Sequence, residues 1–244
     1  MVILQKYYIE KIHIYIMRNI ILTGVGNGMS CSIAKLLSES GNNLFLVGRS
    51  ETVKIIGERF DIPYAMCDLN NYGELKNRLN EILKTFNITD IVHCAGNYFS
   101  TEDIFNTDID FFETALMNNA RTFFNVVKLI SPYMKNNGGS ITVIGAAKNV
   151  YYNSNPGYAA GKGAVIYMMK SLASQLAKYN IRVNSISPGF TAKDDCFKMP
   201  ENIKLLSNRR NPSYYIALAV NQMVENNIIT GQNIDVDGGN STQI

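Results

Sequence analysis

Tyr158 and Lys162 stand four residues apart, so on a helix a phenol and an ammonium share one face, one turn from each other. A cation held there stabilises a phenolate and draws a tyrosine, ordinarily near pKa ~10, toward the working range of a proton donor. The spacing is common by itself, and Tyr7 with Lys11 repeats it with nothing around it to give it meaning. The four cysteines, Cys31, Cys67, Cys94 and Cys196, lie far apart with no Cys-x-x-Cys and few histidines near them. That pattern argues against a metal site and against a disulfide framework.

A second stretch offers chemistry of another kind. The apolar run Ile20-Ile21-Leu22 enters Thr23-Gly24-Val25-Gly26-Asn27-Gly28-Met29-Ser30 and leaves through Ile33, Ala34, Leu36 and Leu37, which share a helical face. Strand, glycine turn and helix in that order let the backbone approach a ligand closely and aim the first helical amides at an anion such as a pyrophosphate. Leu44-Phe45-Leu46-Val47 then forms a second buried strand closed by Gly48-Arg49-Ser50. An acid after this strand would bind a ribose 2′-hydroxyl, whereas Gly48 and Arg49 leave room and positive charge for a 2′-phosphate, which favours NADP, with NAD as the alternative.

The elements that must position these groups follow a steady alternation. Tyr64 to Cys67 reads as a third strand ending in Asp68. Asn71-x-x-Glu74 then opens a helix that carries Leu75, Leu79, Ile82, Leu83 and Phe86 on one face. Asp90 to Gly96 reads as a fourth strand, 140–144 as a fifth, 182–187 as a sixth cut off by Pro188-Gly189, and 233–236 as a last strand. Helices are expected over 111–134, 157–179 and 216–224. This order implies an α/β fold with a parallel sheet wound on both faces and ligands at the carboxyl ends of its strands. Residues 17–244 form one domain, and 1–16 are an extension whose charges interrupt any signal-peptide hydrophobic region.

Composition narrows the function further. The net charge of +3 is scattered apart from Arg209-Arg210, so no basic stripe points to nucleic acid. No run of about eighteen apolar residues exists to span a membrane, and a cytoplasmic protein is expected.

Taken together, residues 18 to 239 resemble the classical short-chain dehydrogenase/reductase family, and within it members like the 3-oxoacyl carrier-protein reductases. Thr23-Gly24-x-x-x-Gly28 looks like the family's cofactor turn, Asp68 its adenine-side acid, and Cys94-Ala95-Gly96 its Asn-Asn-Ala-Gly, with His93 and Cys94 in place of both asparagines. Asn118 stands where the family has its catalytic asparagine, and Tyr158 and Lys162 where it has its catalytic pair. Arg182-Val183-Asn184, Pro188-Gly189, Ile229-Thr230-Gly231-Gln232 and Asp237-Gly238-Gly239 match its carboxy-terminal signature. The resemblance implies a Rossmann-type sheet of seven strands, order 3-2-1-4-5-6-7, in three layers. It implies catalysis by Tyr158, Lys162 and Asn118, and cofactor binding by Gly24, Gly26, Asn27, Gly28, Met29, Arg49, Asp68, Leu69, Ala95, Gly96, Tyr158, Lys162, Pro188, Gly189 and Thr191, with no metal. A small carbonyl or alcohol substrate and a homo-oligomer, a tetramer or a dimer, are implied with it. The apolar residues Phe111, Phe112, Phe123, Phe124, Val126 and Val127, spread over more than one helical face, agree with a partner surface.

Three departures stand out. Ser30 replaces the third glycine of the turn. Where the family carries a serine that hydrogen-bonds the substrate carbonyl, this chain reads Ile144-Gly145-Ala146-Ala147. Losing one such donor typically costs about 10²–10³ in rate, and Tyr151, Tyr152 and Ser154 in the following loop are the nearby hydroxyls. The segment from Phe190 to Asn211 is short for a substrate lid. An NADP(H)-dependent ketoreductase is the expectation. A non-catalytic dinucleotide-binding protein and an enoyl thioester reductase are the alternatives, the latter usually having a wider tyrosine-lysine spacing.

Overall fold

The computed structural model describes residues 17–96, 99–192, 205 and 210–243; the extension expected over 1–16 and most of the expected lid, Arg209 included, lie outside the described residues. Seven strands, β1 (Asn19–Thr23), β2 (Asn43–Gly48), β3 (Tyr64–Met66), β4 (Asp90–His93), β5 (Gly139–Ile144), β6 (Ile181–Pro188) and β7 (Asn233–Val236), form one sheet in the order β3-β2-β1-β4-β5-β6-β7. Every pairing is parallel. Helices cover both faces: α1 (Met29–Glu39), α2 (Glu51–Phe60), α3 (Tyr72–Leu79), α4 (Ile82–Thr85), α5 (Ile109–Ile130), α6 (Lys148–Tyr151), α7 (Pro156–Leu176) and α8 (Ser213–Glu225).

The period-two alternation of strand side chains divides the core. Ile21, Ile91, Ile141, Val143 and Val183 point to one face, where Phe123, Val126 and Ile130 of α5 and Val165 and Met169 of α7 cover them. Ile20, Leu22, Leu46, Val92, Ile144 and Ile186 point to the other, against Ile33 and Leu37 of α1 and Ile216 and Val220 of α8. The three layers and the strand order are those expected from the sequence.

Local differences have local causes. The long helix expected to reach residue 134 stops at Ile130, because Pro132 cannot continue the hydrogen-bond ladder and the chain tightens into a 3-10 turn over Ser131–Met134. The helix expected over residues 75–86 is two pieces, α3 and α4. Asn71 caps α3 as foreseen, its Oδ1 accepting from the Glu74 amide at 3.0 Å. α2 and α6 were not foreseen; α6 occupies what the sequence presents as a loop. The expectation of no disulfide is corrected at Cys31, which is disulfide-bonded, while Cys67 and Cys94 are free. Separation along the chain does not limit which cysteines folding brings together.

Candidate active site

The carboxyl ends of β1, β2 and β4 surround a cavity of about 490 Å³. Its floor is the turn after β1, with Gly24, Gly26, Asn27 and Met29 on the lining. Gly24 has φ 76°, and a Cβ there would lie 2.2 Å from the Ala95 amide nitrogen, so the strand ends close up only because this residue is glycine. Gly28, φ 83°, caps α1 without a side chain, and a Cβ on Gly26 or Gly28 would meet nothing within 4 Å. The bare backbone and the free first amides of α1 are what an anion needs. Ser30 fits without strain. Its Oγ accepts from the Gly26 amide at 2.8 Å and donates to the Gly26 carbonyl at 2.9 Å, tying the helix start back to the turn.

Around the rim, Arg49 and Ser50 follow β2, and Asp68, Leu69 and Asn70 follow β3. A side chain at position 48 would come within 2.7 Å of the Val25 carbonyl, so glycine is required there and no acid can occupy it. The Asp68 carboxylate accepts from the Asn70 amide at 3.0 Å. Asn70 Oδ1, buried on the cavity wall, has no hydrogen-bond partner among the described residues, a vacancy that a ligand donor fits.

Ala95, Gly96 and Asn118 close the inner end, and Lys162 abuts it from behind. Gly96, φ 121°, has no room for a side chain: a Cβ would lie 2.3 Å from Asn119 Oδ1 and 3.1 Å from Lys162 Nζ. The asparagine beside Lys162 is therefore Asn119, fully buried, whose Nδ2 donates to the Ala115 carbonyl. Asn118 turns the other way; its Oδ1 accepts from Asn70 Nδ2 at 2.6 Å and its Nδ2 donates to the Thr114 carbonyl. Helical phase could have found Asn119, because Ala115, Asn119, Phe123 and Val126 make the buried stripe of α5 and Asn118 is off it. Gly157 and Gly161 let α7 approach that stripe, a Cβ at 161 falling 3.0 Å from Asn119 Cβ.

Tyr158 and Lys162 project from the first turns of α7, which Asn155 caps by accepting from the Tyr158 amide at 2.8 Å. Lys162 Nζ donates to the Ile144 carbonyl at 2.9 Å and sits 5.9 Å from the centre of the Tyr158 ring. Burial pushes Lys162 down to about 8 and Tyr158 up to about 12. The lowered tyrosine pKa expected from the spacing is thus not seen in the protein alone, because the ammonium is drawn to a carbonyl behind β5 and the phenol is wrapped in apolar side chains. Ala146, Val150 and Tyr158 form a small apolar cluster with Tyr151 and Phe190. Ser154 Oγ donates to the Tyr151 carbonyl at 2.8 Å, so that candidate for the missing hydroxyl is engaged elsewhere.

Beneath the site His93 is fully buried, with Nδ1 2.8 Å from Thr23 Oγ1 and Nε2 3.4 Å from Thr122 Oγ1. Burial, and secondarily the charge of Lys162, push its pKa down to about 3, so it is a neutral strut. Pro188 ends β6, and Gly189 follows where a Cβ would lie 2.7 Å from Asp237 Cβ. Thr191 Oγ1 donates to the Gly189 carbonyl, and its backbone pairs with Asn211. These three lie beside the Tyr158 end, outside the glycine-lined cavity. Among the described residues no group of His, Cys, Asp and Glu could hold a metal ion, and no helix is long and apolar enough to cross a membrane.

Residues 24–241 match a family model described as enoyl-(acyl carrier protein) reductase. The chain is 30% identical over 233 residues to a 3-oxoacyl-[acyl-carrier-protein] reductase of Rickettsia prowazekii, covering 90% of this chain and 95% of that protein. To the protein of that name from Thermotoga maritima it is 26% identical over 239 residues, covering 90% and 96%. A short-chain dehydrogenase/reductase structure from Mycobacterium ulcerans superposes with a TM-score of 0.80 at 23% identity, covering 92% of this chain and 90% of that one. A 3-oxoacyl-[acyl-carrier protein] reductase from Brucella melitensis with bound NAD gives 0.77 at 21%, covering 91% and 90%.

Proposed function

This chain belongs to the short-chain dehydrogenase/reductase family, an oxidoreductase related to 3-oxoacyl carrier-protein reductases, and from that premise we propose that it moves hydride between NADP(H) and a carbonyl or secondary alcohol in the cytoplasm. The observation that carries this reading is the approach of Lys162, one helical turn from Tyr158, to the inner end of a glycine-lined cavity across Gly96. The turn 24–29 would hold the pyrophosphate, Asp68 and Leu69 the adenine side, and Ala95, Gly96, Pro188, Gly189 and Thr191 the nicotinamide half. Bound there, the nicotinamide supplies or accepts the hydride.

The remaining steps belong to the protein. Tyr158 Oη donates its proton to the substrate oxygen in reduction and takes it back in oxidation. Lys162, released from the Ile144 carbonyl toward the ribose, would bring its charge near the phenol and lower its pKa from the buried value. Asn119 packs beside the ammonium, and Asn118 orders α5 and the cavity wall through Thr114 and Asn70. Arg49 on the rim and the glycine required at 48 support NADP over NAD. Fluorescence titration should give at least about tenfold tighter binding of NADPH than NADH. Equal or tighter NADH binding would overturn the role of Arg49, and binding of neither would overturn the assignment.

We propose in addition a closed oligomer, most simply a tetramer, built on α5 and α7. Phe123, Val126 and Val127 are spent on the chain's own core, but Phe112 and Phe124 on α5 and Tyr167 on α7 remain exposed. A monomer mass by light scattering at micromolar concentration would reject it.

A further inference from the structure

The Tyr158 end of the site is built differently from the nucleotide end. Where the cavity is lined by amides, hydroxyls and Arg49, Tyr158 is only 8% exposed and is held among Ala146, Val150, Tyr151 and Phe190. Phe99 meets the Tyr158 ring at 5.4 Å and 88°, and meets Phe190 at 5.8 Å and 86°, so the phenol, Phe99 and Phe190 form a chain of edge contacts with Phe99 in the middle. Phe99 itself is 40% exposed, the most open of the three rings among the described residues. The backbone fixes it: the Asn155 amide, at the cap of α7, donates to the Ser100 carbonyl at 2.8 Å and ties this segment to the helix that carries Tyr158. Of the neighbouring hydroxyls, Ser154 and Thr191 donate to backbone carbonyls and Tyr151 is hydrogen-bonded to Tyr152. Position 146, where a hydroxyl would face the substrate oxygen, is a methyl group 2% exposed.

Resting on the oxidoreductase reading above, we infer that the substrate is a carbonyl compound with a flat aryl group beside the carbonyl, and that Phe99 is the residue that selects it. A flat apolar group brought against Phe99 and Phe190 trades one ring contact for another. With Ala146 offering no hydrogen bond, Tyr158 Oη is the group that marks the oxygen, and apolar complementarity must do the rest of the positioning.

The test compares three ketones with NADPH oxidation as readout: propiophenone, acetoacetate, and the N-acetylcysteamine thioester of acetoacetate. The wild-type protein should show the highest kcat/KM on propiophenone, and Phe99→Ala should lower that value by at least about tenfold relative to the thioester. Phe99→Leu should fall between, and NADPH affinity should be unchanged in both variants. A wild-type preference for acetoacetate or the thioester overturns the inference while leaving the oxidoreductase reading intact. An equal loss on all three substrates shows Phe99 to be structural and overturns its selecting role. No turnover of any ketone by a protein that binds NADPH overturns the oxidoreductase reading, whereas turnover without a preference for propiophenone overturns this inference alone.

Discussion

On the proposed reaction, position 146 is where a single side chain should change the rate most. Ala146 ends the run after β5, packed against Val150 and Tyr158, where a hydroxyl could share the substrate oxygen with Tyr158 Oη. Restoring it should matter in the transition state more than in binding. Ala146→Ser is expected to raise kcat for ketone reduction by up to about 10²-fold, and Tyr158→Phe to remove turnover; steady-state kinetics with NADPH check both. If neither substitution changes the rate, Tyr158 does not touch the reacting oxygen. His93 carries a second residue-level consequence. Its pKa lies near 3 in the folded protein because burial, then the charge of Lys162, oppose protonation, against about 6.5 when unfolded. The unfolded chain therefore takes up the proton first. This histidine costs no stability above about pH 6.5, and below that the fold loses up to about 1.4 kcal/mol per pH unit until pH 3. Asn in its place can still bond Thr23 and does not titrate, so His93→Asn should gain on the wild type in urea midpoint as pH falls from 6.5 to 4. Parallel midpoint curves would mean that His93 is not the group responsible.

Strand, turn and helix assignments were legible wherever period and punctuation agree: the strand alternation, the glycine turn, the cap at Asn71 and the order of the sheet. What the structure added was of two kinds. Pro132 ends α5 early, a local signal that the sequence itself carries. That Asn119 packs beside Gly96 and Lys162, next to the Asn118 to which the resemblance points, depended on the phase of α5 against α7. The aromatic chain over Tyr158 was invisible because Phe99, Tyr158 and Phe190 come from three separate segments. Two glycines separate local from site-level effects. Gly96 needs φ 121° and abuts both Asn119 and Lys162, whereas Gly163, in the interior of α7, would place a Cβ in open space. Gly96→Ala should lower stability by about 1–3 kcal/mol and weaken NADPH binding, since Lys162 must shift. Gly163→Ala should add about 0.5–1 kcal/mol of helix stability with binding unchanged. Thermal melts with a parallel titration distinguish them, and a Gly96→Ala protein that binds NADPH normally would show that the close approach at Gly96 is not needed for the site.

At the scale of the whole molecule, the proposed chemistry and the anchoring occupy opposite ends of the strands. The carboxyl ends of the strands carry the site. The amino ends are joined by Asp90, the first residue of β4, whose carboxylate is fully buried. It accepts from Arg18 Nη1 at 3.2 and 3.3 Å, from Ser140 Oγ at 2.5 Å and from Thr89 Oγ1 at 2.7 Å, so one side chain binds the leads into β1, β4 and β5. A buried carboxylate is tolerable only with such a full set of donors. Replacing it by an isosteric amide keeps the shape but turns one acceptor into a donor facing Arg18, Ser140 or Thr89, and leaves the guanidinium, 13% exposed, without its counter-charge. Asp90→Asn is therefore expected to cost about 3–5 kcal/mol, read as a lower urea midpoint. Because the lesion sits behind the sheet, four residues before Cys94 on the same strand path, kcat and KM at a temperature where the variant stays folded should be close to wild type. A variant that is stable but inactive would mean that the two ends are coupled through β4, with His93 and Lys162 the first residues to examine. A variant that unfolds at lower urea yet turns over normally would establish that this end serves the fold and the other serves the reaction.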